Sequence, residues 1–358
     1  MRELEPVVLA LTSDENYFPG LYCAVASALS AVDPAREVDV KVFDAGLSRV
    51  SRDTLARLIE RTGKCVRLDF VKADPSIFNN ATLGPGRSHM AYCRILLPEL
   101  LSVPRVVYLD CDVLVFRDLS ALFDLQLSHG KLVAAVPDSE TLSLADDSRP
   151  LAKRMNLPMV GSYFNSGVML MSLDQLRKQH FFERAVEFLS IWRADYRFHD
   201  QSAINFLLHG HIEELPEYWN RPSWRFDVQP NNELDCVLHY TTSAPWLGGT
   251  GGPGQVLFER FAGEAGLPVN RQSSDFKRSA RRNFWRNALA PIRALAFSIA
   301  ALLYRIAGTR VKSAGYNKVA RYWLQYIRNT PTRRQLHRRR SEEIIQMKFD
   351  LRTSRLGL

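Results

Sequence analysis

The sequence predicts an α/β fold, one sheet flanked by helices. Short apolar segments alternate with longer segments of helical period, the mark of strand–helix alternation. The segment "RVVYLD", 105–110, is almost wholly apolar, as a central parallel strand covered on both faces must be. Carboxylates gather where strands end: Asp14, Asp110, Asp112 and Asp138 each follow closely on an apolar run. In an open α/β sheet the ligand crevice lies beyond the carboxyl ends of the strands, so sequence order alone clusters these four.

The elements follow in order. "PVVLALTS", 6–13, is a first strand, and "GLYCAVASALSAV", 20–32, is a helix of small and apolar residues. "VDVKVFDAG", 38–46, is a second strand. "SRDTLARLIERTG", 51–63, is a helix opened by Ser51 as N-cap and closed at Gly63. "CVRLDFVKA", 65–73, is a third strand, and "AYCRILLPELL", 91–101, is helical with a break near Pro98. "RVVYLD" is the fourth strand, "LVAAVPDS", 132–139, the fifth and "YFNSGVMLMSL", 163–173, the sixth. "QHFFERAVEFLSIWRADY", 179–196, is a long amphipathic helix. "PWLGGTGGPG", 245–254, is rich in glycine and leaves the sheet.

A chain of 358 residues, 46% of them hydrophobic, allows one large or two ordinary domains with a substantial core. The net charge of +9 is uneven: residues 271–358 hold 21 Lys and Arg against 4 Asp and Glu, a net of +17, which leaves −8 for 1–270. An acidic body with a basic tail calls for a phosphate-bearing partner, nucleic acid or anionic lipid. Cys23, Cys65, Cys93, Cys111 and Cys236 are odd in number and lack CxxC spacing, so they read as reduced thiols of a cytoplasmic protein. The opening "MRELEPVVLALTSDEN" does not match a secretory signal, because acidic residues interrupt it and "VVLAL" is short. No apolar run reaches the roughly 18–20 residues of a spanning helix.

Asp110-Cys111-Asp112 is a DxD. Side chains two apart on an extended chain point the same way, and like charges that close repel each other and resist losing water. A solvated turn relieves this, and a bound divalent cation relieves it further. Five segments occur in a telling order: "ALTSDENYFPG", "VVYLDCDVLVFRDLSALFDLQL", "YFNSGVMLMSL", "HDQSAIN" and "LHY". Together they resemble family 8 glycosyltransferases, which include bacterial lipopolysaccharide α-galactosyl- and glucosyltransferases and glycogenin. The resemblance spans 7–246 and implies a GT-A type fold, a single Rossmann-like nucleotide-binding mixed sheet flanked by helices, followed here by a basic helical C-terminal extension. It implies a catalytic domain over 1–250, a linker over 251–275 and a basic amphipathic region over 276–358.

By the resemblance, Asp110, Asp112 and His239 are metal ligands for Mn²⁺ or Mg²⁺, the imidazole favouring manganese. On chemistry alone His239 is equally a half-buried strand histidine. Asp14 and Asn16 match the uracil- and ribose-binding positions and Tyr17 the ring that stacks on uracil, though by chemistry Tyr17 also fits a surface aromatic. Arg94 matches a helix arginine near sugar and phosphates; otherwise it is a solvated helix charge. Cys111 falls between the metal ligands, within the donor-binding set. Asn165 and Ser166 lie in a turn where Gly167 permits close backbone approach, with Asn165 bonded to the transferred hexose. Asp138 lies near donor sugar and acceptor, Asp200 grips sugar hydroxyls, and Gln201 lies beneath the anomeric carbon. Gln201, Asp138 and Asp200 are the candidate catalytic residues.

Two departures stand out. Ser202 replaces the second acid of the family's DQD, and "HYTTSAPW" is one residue shorter than the family's HxxGxxKPW and lacks its Gly and its diphosphate-binding Lys. The expected activity is retaining transfer of galactose or glucose from a UDP-hexose to a surface glycan or glycolipid such as lipopolysaccharide core. The amide of Gln201 is a poor nucleophile, which favours a front-face route over double displacement. A sugar-nucleotide nucleotidyltransferase would need a Gly-rich, Lys-containing loop, which "TSDENYFPG" lacks; a non-catalytic membrane-associated sugar-nucleotide-binding protein is the remaining alternative. The tail is expected on an anionic membrane surface, anchored by Trp285, Phe297, Tyr304, Tyr322, Trp323 and Tyr326. The apolar "ALAFSIAALLY" needs burial that nucleic acid would not give, so no nucleic acid is expected. The expected location is cytoplasmic, peripheral on the inner face of the membrane.

Overall fold

The computed structural model describes residues 5–72, 74–79, 81, 89–225, 234–241, 244–247, 253–267 and 269, with separate positions between 289 and 299. These fall into two compact units. The first holds the described residues up to Pro222 with Leu234–His239, and the second holds Ser223–Arg225 and the described residues from Tyr240 onward.

The first unit runs β1 (Val7–Ser13), α1 (Phe18–Ala31), β2 (Val38–Asp44), α2 (Arg49–Arg61) and β3 (Val66–Lys72), then a 3₁₀ stretch His89–Leu96 leading into α3 (Leu97–Leu100). It continues with β4 (Arg105–Leu109), β5 (Val113–Val115), α4 (Leu119–Phe123), β6 (Val133–Pro137), α5 (Leu144–Arg154), β7 (Phe164–Ser172), α6 (Leu173–Lys178) and α7 (Phe181–Ile191). It closes with α8 (Asp200–Leu207), β8 (Ile212–Glu214), β9 (Arg221–Pro222) and β10 (Val237–His239).

Seven of these strands form a mixed sheet in the order β3-β2-β1-β4-β7-β6-β8. β1, β2, β3 and β4 run parallel, while β7 is antiparallel to both β4 and β6. This reversal positions the site. The carboxyl ends of β1, β4 and β6 and the amino end of β7 meet on one edge. A second sheet, β5-β10-β9, pairs β10 antiparallel to β5 and parallel to β9. Every residue of β1 is buried, as strands covered on both faces require. α1 is buried on nearly all sides, and its Gly20, Ala24, Ala26 and Ala28 let neighbouring backbone approach. Buried Ser27 donates to Ala24 O (3.1 Å) and accepts from the Val115 amide (3.0 Å), satisfying an edge of β5.

Several expectations shift. The N-cap of α2 is Ser48, not Ser51: the Ser48 hydroxyl accepts from the Ser51 amide at 3.1 Å, so the helix begins three positions earlier. Gly63 ends that helix at φ 61° as expected. The break expected near Pro98 falls between Leu96 and Leu97, where the 3₁₀ stretch gives way to α3, and Pro98 stands in the first turn of α3, where its missing N–H costs nothing. The helix expected over 179–196 ends at Ile191, because the chain turns to pack Tyr196 on Phe188 at 5.8 Å.

The second unit places α9 (Pro253–Glu264) inside the span expected as a linker. Phe258 anchors it, with Tyr240 edge-on at 5.5 Å and Trp246 tilted at 5.6 Å. Tyr240 donates to Gly254 O at 2.8 Å and Gln255 to Pro245 O at 2.7 Å. The expected tail over 276–358 lies outside the described residues, anchoring aromatics included, except for helical positions between 289 and 299. Among the described residues no helix is long and apolar enough to cross a membrane.

Asn205 joins α8 to the sheet. Its amide accepts from Phe164 N (2.7 Å) and donates to Phe164 O and Gln201 O (2.8 Å each), acting as a strand partner for the start of β7. The Asn205→Ala substitution orphans these buried groups and is expected to cost about 3 kcal/mol in a urea titration.

Candidate active site

The site grows from the end of β4. The Asp110 amide donates to Gly167 O at 2.7 Å, which pins the acid opposite the entry to β7. Asp110 Oδ1 accepts from Tyr108 OH and from Arg94 Nη2, both at 2.8 Å. Its Oδ2 is thereby turned toward His239 Nε2, 3.8 Å away. Asp112 Oδ1 lies 3.2 Å from the same nitrogen. His239, far off in sequence, arrives because β10 pairs with β5 in the register His239↔Val113, one residue past Asp112. The three candidate ligand atoms lie within 4.8 Å of one another. Gly167 is required here: a Cβ would stand 2.2 Å from His239 Cε1 and 2.9 Å from Asp110 Oδ2.

Arg94 is 6% exposed and holds the acids in place. Its Nε reaches Asp200 Oδ2 at 2.9 Å, its Nη2 Asp110, and its Nη1 Ser166 O (2.6 Å) and Ser166 Oγ (2.9 Å). The guanidinium also lies 4.7 Å over the Tyr108 ring. Burial works against its charge, but Asp110 and Asp200 outweigh burial and hold its pKa above the usual arginine value. Arg94 is thus buried rather than the solvated helix charge that its chemistry alone allowed, and Asp200, 3% exposed, pairs with it.

A belt of amides continues from Ser166. Gln201 Oε1 accepts from Ser166 N (3.1 Å) and Oγ (3.4 Å), while Gln201 Nε2 donates to Asp138 Oδ2 at 3.3 Å. Asn165 Nδ2 donates to the same oxygen at 3.1 Å. Asp138 Oδ1 accepts from the amides of Glu140 (2.9 Å) and Thr141 (2.8 Å). Asp110, Asp112, His239, Arg94, Asp200, Ser166, Gln201, Asn165 and Asp138 therefore form one connected group. Asp14, Asn16 and Tyr17 stand beyond β1, the strand beside β4, where Asp14 caps a 3₁₀ turn by accepting from Tyr17 N at 3.0 Å. Burial pushes the Cys111 thiol well up, with Asp112, Asp110 and Asp14 adding to it.

The Ser202 departure has a structural reason. Ser202 is fully buried, accepts from Phe198 N at 2.9 Å and bonds Asp147. Burial raises the Asp147 pKa, and Ser202, Arg197 N and Tyr163 oppose the rise. A second acid at 202 would face this buried carboxylate and drive its pKa further up. Tyr108 and Asn220 were missed in sequence. Tyr108 carried a signal, since it is two positions before Asp110 on an otherwise aliphatic strand and so shares its face. Asn220 carried none: it accepts at Oδ1 from His239 Nδ1 (2.8 Å) only because β9 pairs with β10.

The residues fit a divalent cation. Asp110 and Asp200 share one guanidinium and Asp112 is seen only beside His239, which leaves a surplus of negative charge. Burial opposes an imidazolium at His239, but Asp112 and Asp110 outweigh it and raise its pKa, evidence that this pocket attracts positive charge. Two carboxylates and one imidazole suit Mn²⁺ or Mg²⁺ better than a soft metal.

The profile of Glycosyl transferase family 8 matches residues 8–249. General stress protein A of Bacillus subtilis (strain 168) is 33% identical over 274 residues, 71% of this chain and 92% of that protein. Lipopolysaccharide 1,2-glucosyltransferase of Escherichia coli (strain K12) is 31% identical over 172 residues, 44% of this chain and 49% of that protein. The galactosyltransferase LgtC, solved with donor and acceptor sugar analogs, superposes with a TM-score of 0.60 at 24% identity, covering 74% of this chain and 97% of that one. The profile, the relatives and the shared sheet agree: this chain belongs to glycosyl transferase family 8, has the GT-A fold, and its chemistry is glycosyl transfer.

Proposed function

We propose that the protein moves galactose or glucose from a UDP-sugar to a surface glycan such as lipopolysaccharide core, with retention at the anomeric carbon. The observation that carries this reading is the Asp110, Asp112 and His239 cluster at the shared edge of β1, β4, β6 and β7. A divalent cation held there would act as a Lewis acid, drawing charge from the departing diphosphate. Arg94 and Tyr108 hold Asp110 so that only its Oδ2 faces the cluster. Asp14 and Asn16 would meet uracil N3–H and ribose hydroxyls, and the Tyr17 ring, 38% exposed, would stack on uracil. Asn165, Ser166 and Asp138 line the approach to the sugar. Asp200 acts through Arg94 as a positioning residue.

Gln201 carries no charge, and both ends of its amide are engaged by Ser166 and Asp138. This favours the front-face route, in which the leaving diphosphate oxygen accepts the acceptor hydroxyl proton on the face it departs from. Asp138 is the fallback nucleophile. The acceptor assignment draws on the likeness to the Escherichia coli lipopolysaccharide enzyme. We place the protein in the cytoplasm, peripheral on the inner membrane face, through residues 276–358. Leu289, Ile292, Leu295 and Ile299 support this: they are helical, spaced near one face, and 37–64% exposed. The nearby Lys and Arg surplus would add up to about 1 kcal/mol per charge on an anionic leaflet.

Asp112→Ala is expected to lower transfer at least about 10³-fold while the protein stays folded, because the only partner that Asp112 is seen to leave is His239, which keeps Asn220. Gly167→Ala should lower transfer likewise by displacing His239, with a loss of stability of about 1–3 kcal/mol from the clash, and near wild-type turnover in either variant would refute the metal role. A screen of UDP release from several UDP-sugars, with a lipid-linked oligosaccharide acceptor, is expected to show manganese-dependent turnover with UDP-galactose or UDP-glucose. Binding without turnover would instead favour a non-catalytic protein, in keeping with Ala244 where the family has a lysine. In liposome flotation the full chain should rise with anionic vesicles and a chain ending at 270 should not; equal flotation would remove the anchor.

A further inference from the structure

The hydrogen bonds behind His239 run in a direction that their two ends dictate. The Gly167 amide can only donate, and it gives its hydrogen to Asn165 Oδ1 at 2.9 Å. That leaves Asn165 Nδ2 for Asp138 Oδ2, a carboxylate oxygen that accepts, at 3.1 Å. Asn220 meets the same Asn165 oxygen at 2.8 Å, so it presents Nδ2 there and must turn Oδ1 the other way. Asn220 Oδ1 lies 2.8 Å from His239 Nδ1. An amide oxygen only accepts, so Nδ1 carries the hydrogen. The Nε2 lone pair of the neutral ring then points at Asp112 Oδ1 (3.2 Å) and Asp110 Oδ2 (3.8 Å).

We propose that Asn220 is a positioning residue that fixes the His239 imidazole, in ring angle and in tautomer, for metal binding through Nε2. The backbone of β7 sets the polarity of the relay, and Asn220 carries it from Asn165 to the metal ligand. Asn220 is 4% exposed, and the next two residues form β9, where Pro222 pairs with His239, so it has little freedom to swing away. The same relay ties the residue next to the donor sugar to the metal ligand. Groups behind a metal-binding histidine are worth about 10–100-fold in metal affinity.

This role rests on the reading of Asp110, Asp112 and His239 as metal ligands, and the test separates the two. Mn²⁺ binding to the full chain with UDP is measured by electron paramagnetic resonance of free Mn²⁺, without turnover. The His239 tautomer is read from ¹⁵N spectra of the metal-free protein at alkaline pH. Asn220→Ala is expected to weaken Mn²⁺ binding about 10–100-fold and to lose the pure Nδ1–H tautomer. Asn220→Asp gives up the bond to Asn165 Oδ1 but keeps an acceptor for Nδ1–H, and should hold Mn²⁺ within a few-fold of wild type with the tautomer intact. Unchanged Mn²⁺ affinity and tautomer in Asn220→Ala would overturn the proposal, as would equal losses in both variants, which would make Asn220 a packing residue. A wild-type chain that binds no Mn²⁺ would overturn the metal reading itself.

Discussion

A buried guanidinium organises this site. Arg94 draws together the 3₁₀ stretch that carries it, the end of β4, the first residues of β7 and the start of α8. Charge in the interior is tolerable only when it is paired and hydrogen-bonded, and Arg94 is both. It offsets part of the negative charge of the acid cluster. It also takes up Asp110 Oδ1 at 2.8 Å and reaches Oδ2 more loosely at 3.5 Å, which sets how that carboxylate is turned. The acids that remain toward the crevice are the ones a cation can reach.

The second constraint is the direction of β7. A parallel strand there would bring its carboxyl end to the edge where β4 and β6 finish. Running antiparallel, it brings its amino end, and with it Asn165, Ser166 and Gly167. These supply a side-chain amide, a hydroxyl with its backbone groups, and a gap where no Cβ fits. A glycine at 167 is thus a matter of space for a neighbour rather than of backbone conformation.

Much of this was legible in the sequence. Long apolar strands and helical periods gave the main sheet, and the clustering of Asp110 and Asp138 followed from strand ends alone. What escaped was short or non-local. β5, β8, β9 and β10 span two or three residues each, too few to show a period. Asn220 has meaning only once β9 and β10 pair. Ser51 was read as a cap because it precedes a helical pattern, yet Ser48 lies at the right distance to meet the Ser51 amide. Arg94 reads in a linear motif as a residue near the ligand; only the fold shows that Asp110, Asp200, Ser166 and the Ala91 carbonyl claim it from within.

The imidazole of the acid–histidine cluster rides on a narrow ribbon. β5 and β10 share only the pairs Val113↔His239, Leu114↔Leu238 and Val115↔Val237. All six residues are buried, so their amides meet water only when the ribbon opens. Whatever binds across Asp112 and His239 closes the ribbon like a clasp, and its binding free energy appears there as slower amide hydrogen exchange. Exchange rates at Leu114 and Leu238 thus report the occupancy of a site that neither residue touches.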